Sequence, residues 1–352
     1  MWIFNKKQPE LKSGVLEDIR TDEEKKLDYK LEEALQAQPI TWSSYSDWLQ
    51  TDAANWHRAL LVHDQDGSSS CVGNAIASIA TILNALEEKA FIHFSPRWIY
   101  AQRMNRPSPG MYFNDASQIF VDNGILPESL CHSDGLPEDK MNELNENKIE
   151  SFTTIAKIYS PQSYFWINGD IDSIAQALSI QRPVLIGVRF GDNEWGRDVP
   201  IVTQTELKYC HAVTILPNSY FMYNNKKAVM IIDSWGTSNP LRGFRILTED
   251  WFNNTRLVSA ICFTDLPNPT LSPAEHWEPF LQDLGWGSKG EEVKRLQLLL
   301  QIKYGIFKGD ITGNYYGYTT ACVKELQKLL KVEPVSGYFG PITRKALNAT
   351  LK

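Results

Sequence analysis

Apolar residues recur every three or four positions along several stretches of the chain, and the clearest case begins directly after Cys71. This spacing is the period of a helix with one buried face. The apolar positions are Val72, Ile76, Ile79, Leu83 and Leu86. Residues 65–70, just before them, are all polar or glycine. We therefore predict that Cys71 lies at or near the N-terminus of a helix that runs to about residue 89.

Two further helix starts are indicated by the residues at their N-termini. Ser95 is followed by Pro96, and Asp170 precedes an apolar-periodic stretch at residues 171–178. A side-chain oxygen at the N-cap and a proline at the first helical position are typical of helix starts. Asp170 and Asp172 also resemble part of a metal loop, but capping explains them more simply because no further ligands follow at suitable spacing.

Continuous apolar runs in the middle of the chain predict buried strands. They span residues 183–188, 210–216, 229–232 and 257–263, and residues 242–246, which include two arginines, are predicted to form a further strand. His211 lies at the start of the second run, and Asp233 directly follows the third. Helices are therefore expected to dominate the first part of the chain and strands the next, which predicts an α+β fold.

Composition narrows the class of protein. A chain of 352 residues with 43% apolar residues is expected to form two folded domains. The net charge of −7 offers no reason to expect nucleic-acid binding. No stretch is long and apolar enough to span a membrane, and the first four residues are too short an apolar run for a secretory signal. Five scattered cysteines without CxxC spacing predict neither a disulfide framework nor a zinc module, so we expect no metal.

The chemistry-bearing residues lie far apart in the chain. A helix N-terminus stabilises a thiolate at Cys71, and the amide of Gln65 is close enough in sequence to reach an oxyanion beside the sulfur. A thiolate nucleophile needs a histidine, and the histidine needs an orienting group, which His211 and Asp233 supply. The alternative is that Cys71 is a buried structural cysteine on a helix.

The order Gln65, Cys71, His211 and then Asp233-Ser-Trp-Gly resembles the papain-like cysteine peptidases. The resemblance implies that Cys71 is the nucleophile, His211 the general base, Asp233 the orienting residue and Gln65 the oxyanion-hole residue. Trp235 matches the tryptophan that shields the hydrogen bond of the histidine. It also implies a two-lobed fold, with a helical lobe and a β-barrel-like lobe, that needs no cofactor.

The match departs from the family in three places. Asp233 replaces the usual asparagine, and an aspartate favours an imidazolium more strongly. Ser68 replaces a cysteine, so the family disulfide at that position cannot form. Val72 and Gly73 replace an aromatic-containing run after the nucleophile.

A second module follows a proline-rich stretch. A Gly-Ser-x-Gly-x-x-Val-x-x-Leu-Gln run at residues 287–297 and a Gly-x-Phe-Gly-Pro-x-Thr run at 337–343 resemble the three-helix peptidoglycan-binding domain. Residues 278–352 carry 11 basic and 7 acidic side chains, a balance of +4 that suits an anionic envelope. The candidate binding residues are Tyr315, Tyr316, Tyr318 and Tyr338. The alternative is that each of these rings packs the turns.

These patterns divide the chain into four parts. They are an N-terminal extension at 1–40 with a predicted short helix, a peptidase domain at 41–266, a linker at 267–277 and a peptidoglycan-binding-like domain at 278–352. The extension can be an inhibitory propeptide, as in the papain family, or an arm packed on the enzyme. The arm is favoured because the segment is short and lacks the propeptide pattern of the family.

The resemblance implies a cysteine endopeptidase that hydrolyses protein or peptide substrates and is targeted to the cell wall. It is expected to act at the wall or outside the cell after release. One alternative is a phage-type or bacterial lysin that cleaves the cross-link peptides of peptidoglycan. Another is a non-catalytic wall-binding protein on a degenerate peptidase scaffold, against which the retained Cys71, His211 and Gln65 argue.

Overall fold

A computed structural model describes most of the chain. The described residues are 14–18, 20–21, 40–55, 59–88, 91–144, 146–253, 255–263, 279–307 and 312–351. They form two compact units, Met1–Pro267 and Asn268–Lys352. The short helix predicted in the N-terminal extension falls at its leucines Leu27, Leu31 and Leu35, and it lies outside the described residues, as does the linker 267–277.

The first lobe of the first unit is helical, as the sequence predicts. Its helices are α1 (Tyr45–Trp48), α2 (Cys71–Glu88), α3 (Pro96–Tyr100), α4 (Phe113–Asn123), α5 (Glu138–Met141) and α6 (Glu146–Lys157). The expected cap of α3 is confirmed, because the hydroxyl of Ser95 accepts a hydrogen bond from the backbone N–H of Trp98 over 3.3 Å. Helix α2 is buried along nearly its whole length and forms the centre of this lobe.

The second lobe is built on one mixed sheet. Its strands are β2 (Ser43–Ser44), β4 (Tyr164–Trp166), β5 (Val184–Phe190), β6 (Tyr209–Tyr223), β7 (Lys226–Ile232), β8 (Phe244–Thr248) and β9 (Leu257–Phe263). The order is β4-β9-β5-β6-β7-β8, with antiparallel neighbours, and β2 pairs in parallel with the end of β6. A further pair, β1 (Val15–Leu16) and β3 (Met111–Tyr112), is parallel.

The sheet is open, which corrects the expectation of a barrel-like lobe. Its edge strands β4 and β8 do not pair with each other in the described part of the chain. Both faces are covered instead. Helix α7 (Ile171–Ser179) and the ring of Trp251 pack on one face, and Trp48 of α1 and Ile82 of α2 pack on the other. Because helices and loops cover both faces, the strands are apolar almost throughout.

The helix cap predicted at Asp170 is also confirmed. Its carboxylate accepts from the backbone N–H of Ser173 over 2.8 Å, at the start of α7. Asp172 forms an ion pair with Lys227 instead of belonging to a metal loop, at 2.6 Å. Among the described residues, no helix is long and apolar enough to cross a membrane.

The second unit contains three helices within residues 279–307 and 312–351. They are α8 (Glu291–Ile302), α9 (Gly317–Leu329) and α10 (Pro341–Asn348). Two buried glutamines, Gln297 and Gln327, make equivalent contacts in this unit. Gln297 Oε1 accepts from the N–H of Gly313 over 2.9 Å, and Gln327 Oε1 accepts from the N–H of Gly337 over 2.8 Å. Each glutamine therefore fixes the turn that leads into the next helix.

Candidate active site

Cys71 is the first residue of helix α2, as the sequence predicts, and its side chain is fully buried. A network of short polar side chains shapes the loop before it. The hydroxyls of Ser68 and Ser70 lie 2.6 Å apart, and the amide of Asn74 donates to the carbonyl of Ser70 over 3.0 Å. The sulfur is therefore held at a helix start, where unpaired backbone N–H groups favour negative charge.

A carboxylate from the helical lobe anchors the same loop. Glu138 Oε2 accepts from the backbone N–H of Ser69 over 2.7 Å, and its Oε1 accepts from the hydroxyl of Tyr100 over 2.6 Å. This contact lies beside Ser68, where the resemblance predicts the loss of a family disulfide. Glu138 was not a sequence candidate, and no local signal in its acidic surroundings identifies it.

His211 lies near the start of strand β6, and one hydrogen bond joins that strand to the nucleophile helix. Thr214 Oγ1 donates to the carbonyl of Ala75 over 2.9 Å, and both residues are almost fully buried. Thr214 follows His211 by three residues, and Ala75 follows Cys71 by four. The bond therefore fixes the histidine strand against the first turn of the nucleophile helix.

Asp233 follows strand β7 and meets the ring of His211. His211 Nε2 and Asp233 Oδ1 lie 2.7 Å apart, and both side chains are at most 1% exposed. The other ring nitrogen, Nδ1, is buried and has no hydrogen-bond partner among the groups that the structure describes. Because Asp233 occupies Nε2, Nδ1 is the nitrogen left for the thiol of Cys71.

The opposite charges of His211 and Asp233 outweigh the effect of burial on the pKa of each residue. Burial lowers the pKa of His211, but the Asp233 carboxylate and the Cys71 side chain raise that pKa above its ordinary value. Burial raises the pKa of Asp233, but His211 and Arg245 outweigh it and hold the pKa of Asp233 well below its usual range. The arrangement therefore favours an imidazolium beside an ionised carboxylate.

Two tryptophans enclose the histidine, and the sequence identified only one. The ring centroid of Trp235 lies 4.9 Å from that of His211. Trp195 lies 5.7 Å away, and its indole N–H donates to Asp233 Oδ2 over 2.9 Å. The role of the ring was missed because nothing local distinguishes it from a packing residue.

Gln65 connects the two lobes beside the nucleophile. Its backbone N–H donates to the carbonyl of Ser234 over 2.9 Å, and its Oε1 accepts from the Ser234 hydroxyl over 2.7 Å. Its Nε2 donates to the carbonyl of Ser68 over 2.7 Å. A side-chain amide has two N–H donors, so this contact uses one of them. Gln65, Cys71, His211 and Asp233 are thus brought into one neighbourhood.

The described residues of the N-terminal extension lie across this neighbourhood. A Cβ placed on Gly14 would stand 2.5 Å from the sulfur of Cys71. Gly14 donates to the carbonyl of Cys210 over 3.3 Å and accepts from the N–H of Met111 over 2.8 Å. Glu17 then pairs with Arg189 at 2.5 Å. The segment at residues 14–17 therefore covers the nucleophile and is held on both sides.

The candidate aromatic residues of the second unit differ in how exposed they are. Tyr315 is fully buried, and its hydroxyl donates to the carbonyl of Gly337 over 2.8 Å. This corrects the expectation that Tyr315 contacts a ligand. Tyr316, Tyr318 and Tyr338 are exposed by 41%, 52% and 49%. Trp286, which was not a candidate from the sequence, is 72% exposed.

Trp286 and Tyr316 form a ring pair on the surface of the second unit. Their centroids lie 5.7 Å apart in an edge-to-face arrangement. The ammonium of Lys289 lies 6.0 Å from the centre of the Tyr316 ring. We call Trp286, Lys289 and Tyr316 the aromatic platform. In the described ranges, no group of three or more His, Cys, Asp or Glu side chains is placed to hold a metal ion.

Comparison with known proteins supports this architecture. Residues 289–347 match the family described as "Putative peptidoglycan binding domain". By sequence, no curated protein matches the chain. Among solved structures, xylellain, a cysteine protease from Xylella fastidiosa, is 16% identical, with a TM-score of 0.55 over 72% of this chain and 96% of that chain.

Other solved structures are less similar in backbone. Digestive procathepsin L 3 from the larval midgut of Tenebrio molitor is 17% identical, with a TM-score of 0.48 over 65% of this chain and 74% of that chain. The bromelain protease from Ananas comosus is 16% identical, with a TM-score of 0.46 over 61% of this chain and 97% of that chain. The chain thus combines a papain-like fold, similar to that of xylellain, with a C-terminal unit that matches a peptidoglycan-binding family.

Proposed function

We propose that the chain is a papain-like cysteine endopeptidase that a peptidoglycan-binding unit targets to the cell wall. The observation that carries the proposal is the position of His211. Its Nε2 is held by Asp233 at 2.7 Å, and its buried Nδ1 is left for Cys71 at the start of helix α2. A purely structural cysteine would not need an enclosed imidazole with a carboxylate behind it.

The first chemical step uses a thiolate–imidazolium pair. The thiol proton of Cys71 moves to Nδ1 of His211, and the Asp233 carboxylate stabilises the imidazolium. The thiolate attacks the carbonyl carbon of a peptide bond, and the carbonyl oxygen becomes an oxyanion. The backbone N–H of Cys71 and the second N–H of the Gln65 amide are the donors that hold this oxyanion.

The second part of the reaction returns the enzyme to its starting state. His211 protonates the leaving amine as the carbon–nitrogen bond breaks, which leaves an acyl group on the sulfur of Cys71. His211 then takes a proton from water, and the hydroxide attacks the thioester. The acid product leaves and the thiolate reforms. No metal or cofactor enters these steps.

The N-terminal extension is proposed to block the site in the form described. Residues 14–17 fill the space over Cys71 and form hydrogen bonds and an ion pair with the surrounding residues. A substrate carbonyl needs the same space to reach the sulfur. Of the two roles considered for the extension, these contacts favour the inhibitory one, and displacement of residues 14–17 precedes turnover.

The aromatic platform is proposed to hold the chain on peptidoglycan. Exposed aromatic rings stack on the apolar faces of sugar rings, and an ammonium such as that of Lys289 attracts the carboxylates of the stem peptides. The match of residues 289–347 to a peptidoglycan-binding family supports this assignment. On this proposal, the enzyme acts at the cell wall.

One experiment separates the proposed activities. The wild type and Cys71→Ala are treated with an epoxide inhibitor of papain-like enzymes and assayed on a mixed peptide library and on purified peptidoglycan. We expect covalent labelling of the wild type alone, together with cleavage of ordinary peptides. Both proteins are tested before and after limited proteolysis of the N-terminal extension, because the extension covers Cys71.

Other outcomes lead to different conclusions. Labelling with release of wall fragments but no cleavage of ordinary peptides would favour a lysin that acts on cross-link peptides. A Cys71 that fails to react in either form would leave a non-catalytic wall-binding protein. The enclosed His211–Asp233 pair argues against that last reading, because a degenerate scaffold has no need of it.

A further inference from the structure

A buried arginine lies directly behind the His211–Asp233 pair. Arg245 is on strand β8, within a run of five buried residues, and is 5% exposed. Its Nε donates to Asp233 Oδ2 over 2.6 Å, and its Nη1 donates to the carbonyl of Arg197 over 2.7 Å. Arginine is almost never this buried unless it is paired, so the contact with Asp233 requires a reason.

Aromatic rings complete the enclosure of this ion pair. The guanidinium carbon of Arg245 lies 5.8 Å from the ring centres of both Trp195 and Trp235. The same two rings lie beside His211. The histidine, the carboxylate and the guanidinium therefore share one water-poor space, where each charge acts strongly on the others.

The charges in this space give a reason for burying Arg245 beside Asp233. In the reactive state, the Cys71 thiolate, the His211 imidazolium and the Asp233 carboxylate sum to −1. With the asparagine usual in the family, the same set would sum to zero. The guanidinium of Arg245 restores a sum of zero. It also binds Oδ2 of Asp233, which leaves Oδ1 to face His211.

We propose that Arg245 is a positioning residue that neutralises Asp233, so that an aspartate can replace the asparagine of the family behind the catalytic histidine. The proposal rests on the proposed function only in taking Cys71 and His211 as the reactive pair. Arg245 does not touch the substrate and acts through Asp233.

The other charged or titratable groups near the sulfur are neutral or paired. Glu138, which accepts from the backbone N–H of Ser69, lies 3.5 Å from the guanidinium of Arg103. Burial, with a smaller contribution from Cys71, raises the pKa of Cys210 to about 12, so this thiol stays neutral. Glu17 and Arg189 carry opposite charges and pair with each other at 2.5 Å. The net field at Cys71 is therefore set mainly by His211, Asp233 and Arg245.

The net charge around the sulfur predicts the order in which the variants form the Cys71 thiolate as pH rises. Around the sulfur at low pH, His211, Asp233 and Arg245 sum to +1. Arg245→Met lowers this sum to zero, Asp233→Asn raises it to +2, and the double variant returns it to +1. A more positive site forms a thiolate at lower pH. We expect single-variant midpoints shifted by on the order of one pH unit in opposite directions, with the double variant close to the wild type.

The measurement is a thiolate titration in the full chain. Ultraviolet absorbance of the thiolate is followed against pH, and the same titration of a Cys71→Ala partner is subtracted in each background. This readout needs no substrate and no access to the covered sulfur. Arg245→Lys is the matched control, because it keeps the charge and loses the planar hydrogen-bonding fork, and its midpoint should stay near that of the wild type.

The outcomes separate this proposal from the proposed function. A wild-type Cys71 that ionises only where an ordinary thiol does would contradict the reactive pair itself. Two results would overturn the role of Arg245 while leaving the reactive pair intact, provided that wild-type Cys71 ionises at lower pH than an ordinary thiol. One is an equal midpoint for Arg245→Met and the wild type, and the other is a midpoint of Arg245→Lys that matches that of Arg245→Met. If Arg245→Met does not fold, Asp233→Asn and the double variant decide, because loss of Arg245 must raise the midpoint between them.

Discussion

Gly14 and Cys71 are in such close contact that the space between them excludes a side chain. A Cβ on Gly14 would lie 2.5 Å from the sulfur and 2.5 Å from the carbonyl oxygen of Ser69. Contacts this short do not occur between real Cβ atoms and their neighbours. The covering segment at residues 14–17 can therefore lie where it does only because residue 14 is a glycine.

The first prediction concerns this contact. Gly14→Ala should displace the covering segment and raise the rate of epoxide labelling of Cys71 in the full chain by about tenfold or more, because about 1.4 kcal/mol of strain corresponds to that factor. Mass spectrometry of the labelled protein measures the rate. Gly196→Ala is the matched control, since a Cβ there meets nothing within 4 Å. An unchanged rate in Gly14→Ala would contradict the blocking role of the segment.

Gln65 provides a second test. Gln65→Ala removes the side-chain donor proposed for the oxyanion, so kcat on a peptide substrate should fall by about 10²–10³. Epoxide labelling should fall much less, because this reaction forms no oxyanion from a carbonyl. Ser234→Ala, which loses only the hydroxyl contact to Gln65, should retain most of the activity. Equal losses of labelling and turnover in Gln65→Ala would point to a distorted loop instead.

The third prediction concerns stability in acid. Burial raises the pKa of Glu194, but Arg256 and the backbone N–H groups of Gly191, Thr203 and Gln204 outweigh it and lower that pKa from 4.5 to about 2. A lowered carboxyl pKa stabilises the fold above pH 4.5, and this stabilisation is lost as pH falls toward 2. Thermal unfolding of the wild type should weaken over this range. Glu194→Gln should be less stable at neutral pH and should lose less on acidification.

The fourth prediction separates binding from stability in the second unit. Trp286→Ala should weaken sedimentation with purified peptidoglycan by about five- to thirty-fold, since an exposed aromatic anchor contributes about 1–2 kcal/mol. Tyr315→Phe should leave binding unchanged and lower stability by about 1 kcal/mol, because its buried hydroxyl holds the carbonyl of Gly337. Unchanged binding of peptidoglycan by Trp286→Ala would contradict the proposal that the aromatic platform holds the chain on the wall.

Local features of the chain were predictable because their causes are local. The helix that starts at Cys71 follows from apolar periodicity after a polar loop, and the caps at Ser95 and Asp170 follow from side chains that bond their own helices. The strands that carry His211 and precede Asp233 follow from continuous apolar runs. The resemblance to a family then linked residues that no local pattern connects.

The contacts that complete the site depend on strand pairing and long-range packing. The antiparallel register that pairs Thr214 with Ile232 brings the start of β6 beside the end of β7, and so brings His211 to Asp233. An arginine within a predicted buried strand can indicate an ion pair. However, only the neighbouring strand decides whether Arg245 meets Asp233 or solvent.

The sequence by itself determined the helix and strand types, the order of the reactive residues and the division between a helical and a strand-rich part. Only the tertiary structure decided that the sheet stays open, that Gly14 covers Cys71, and that Tyr315 is buried while Tyr316 is exposed. The reason is physical. Periodicity and capping act within a few residues, whereas register, burial and charge pairing are set by groups that folding brings together from distant positions.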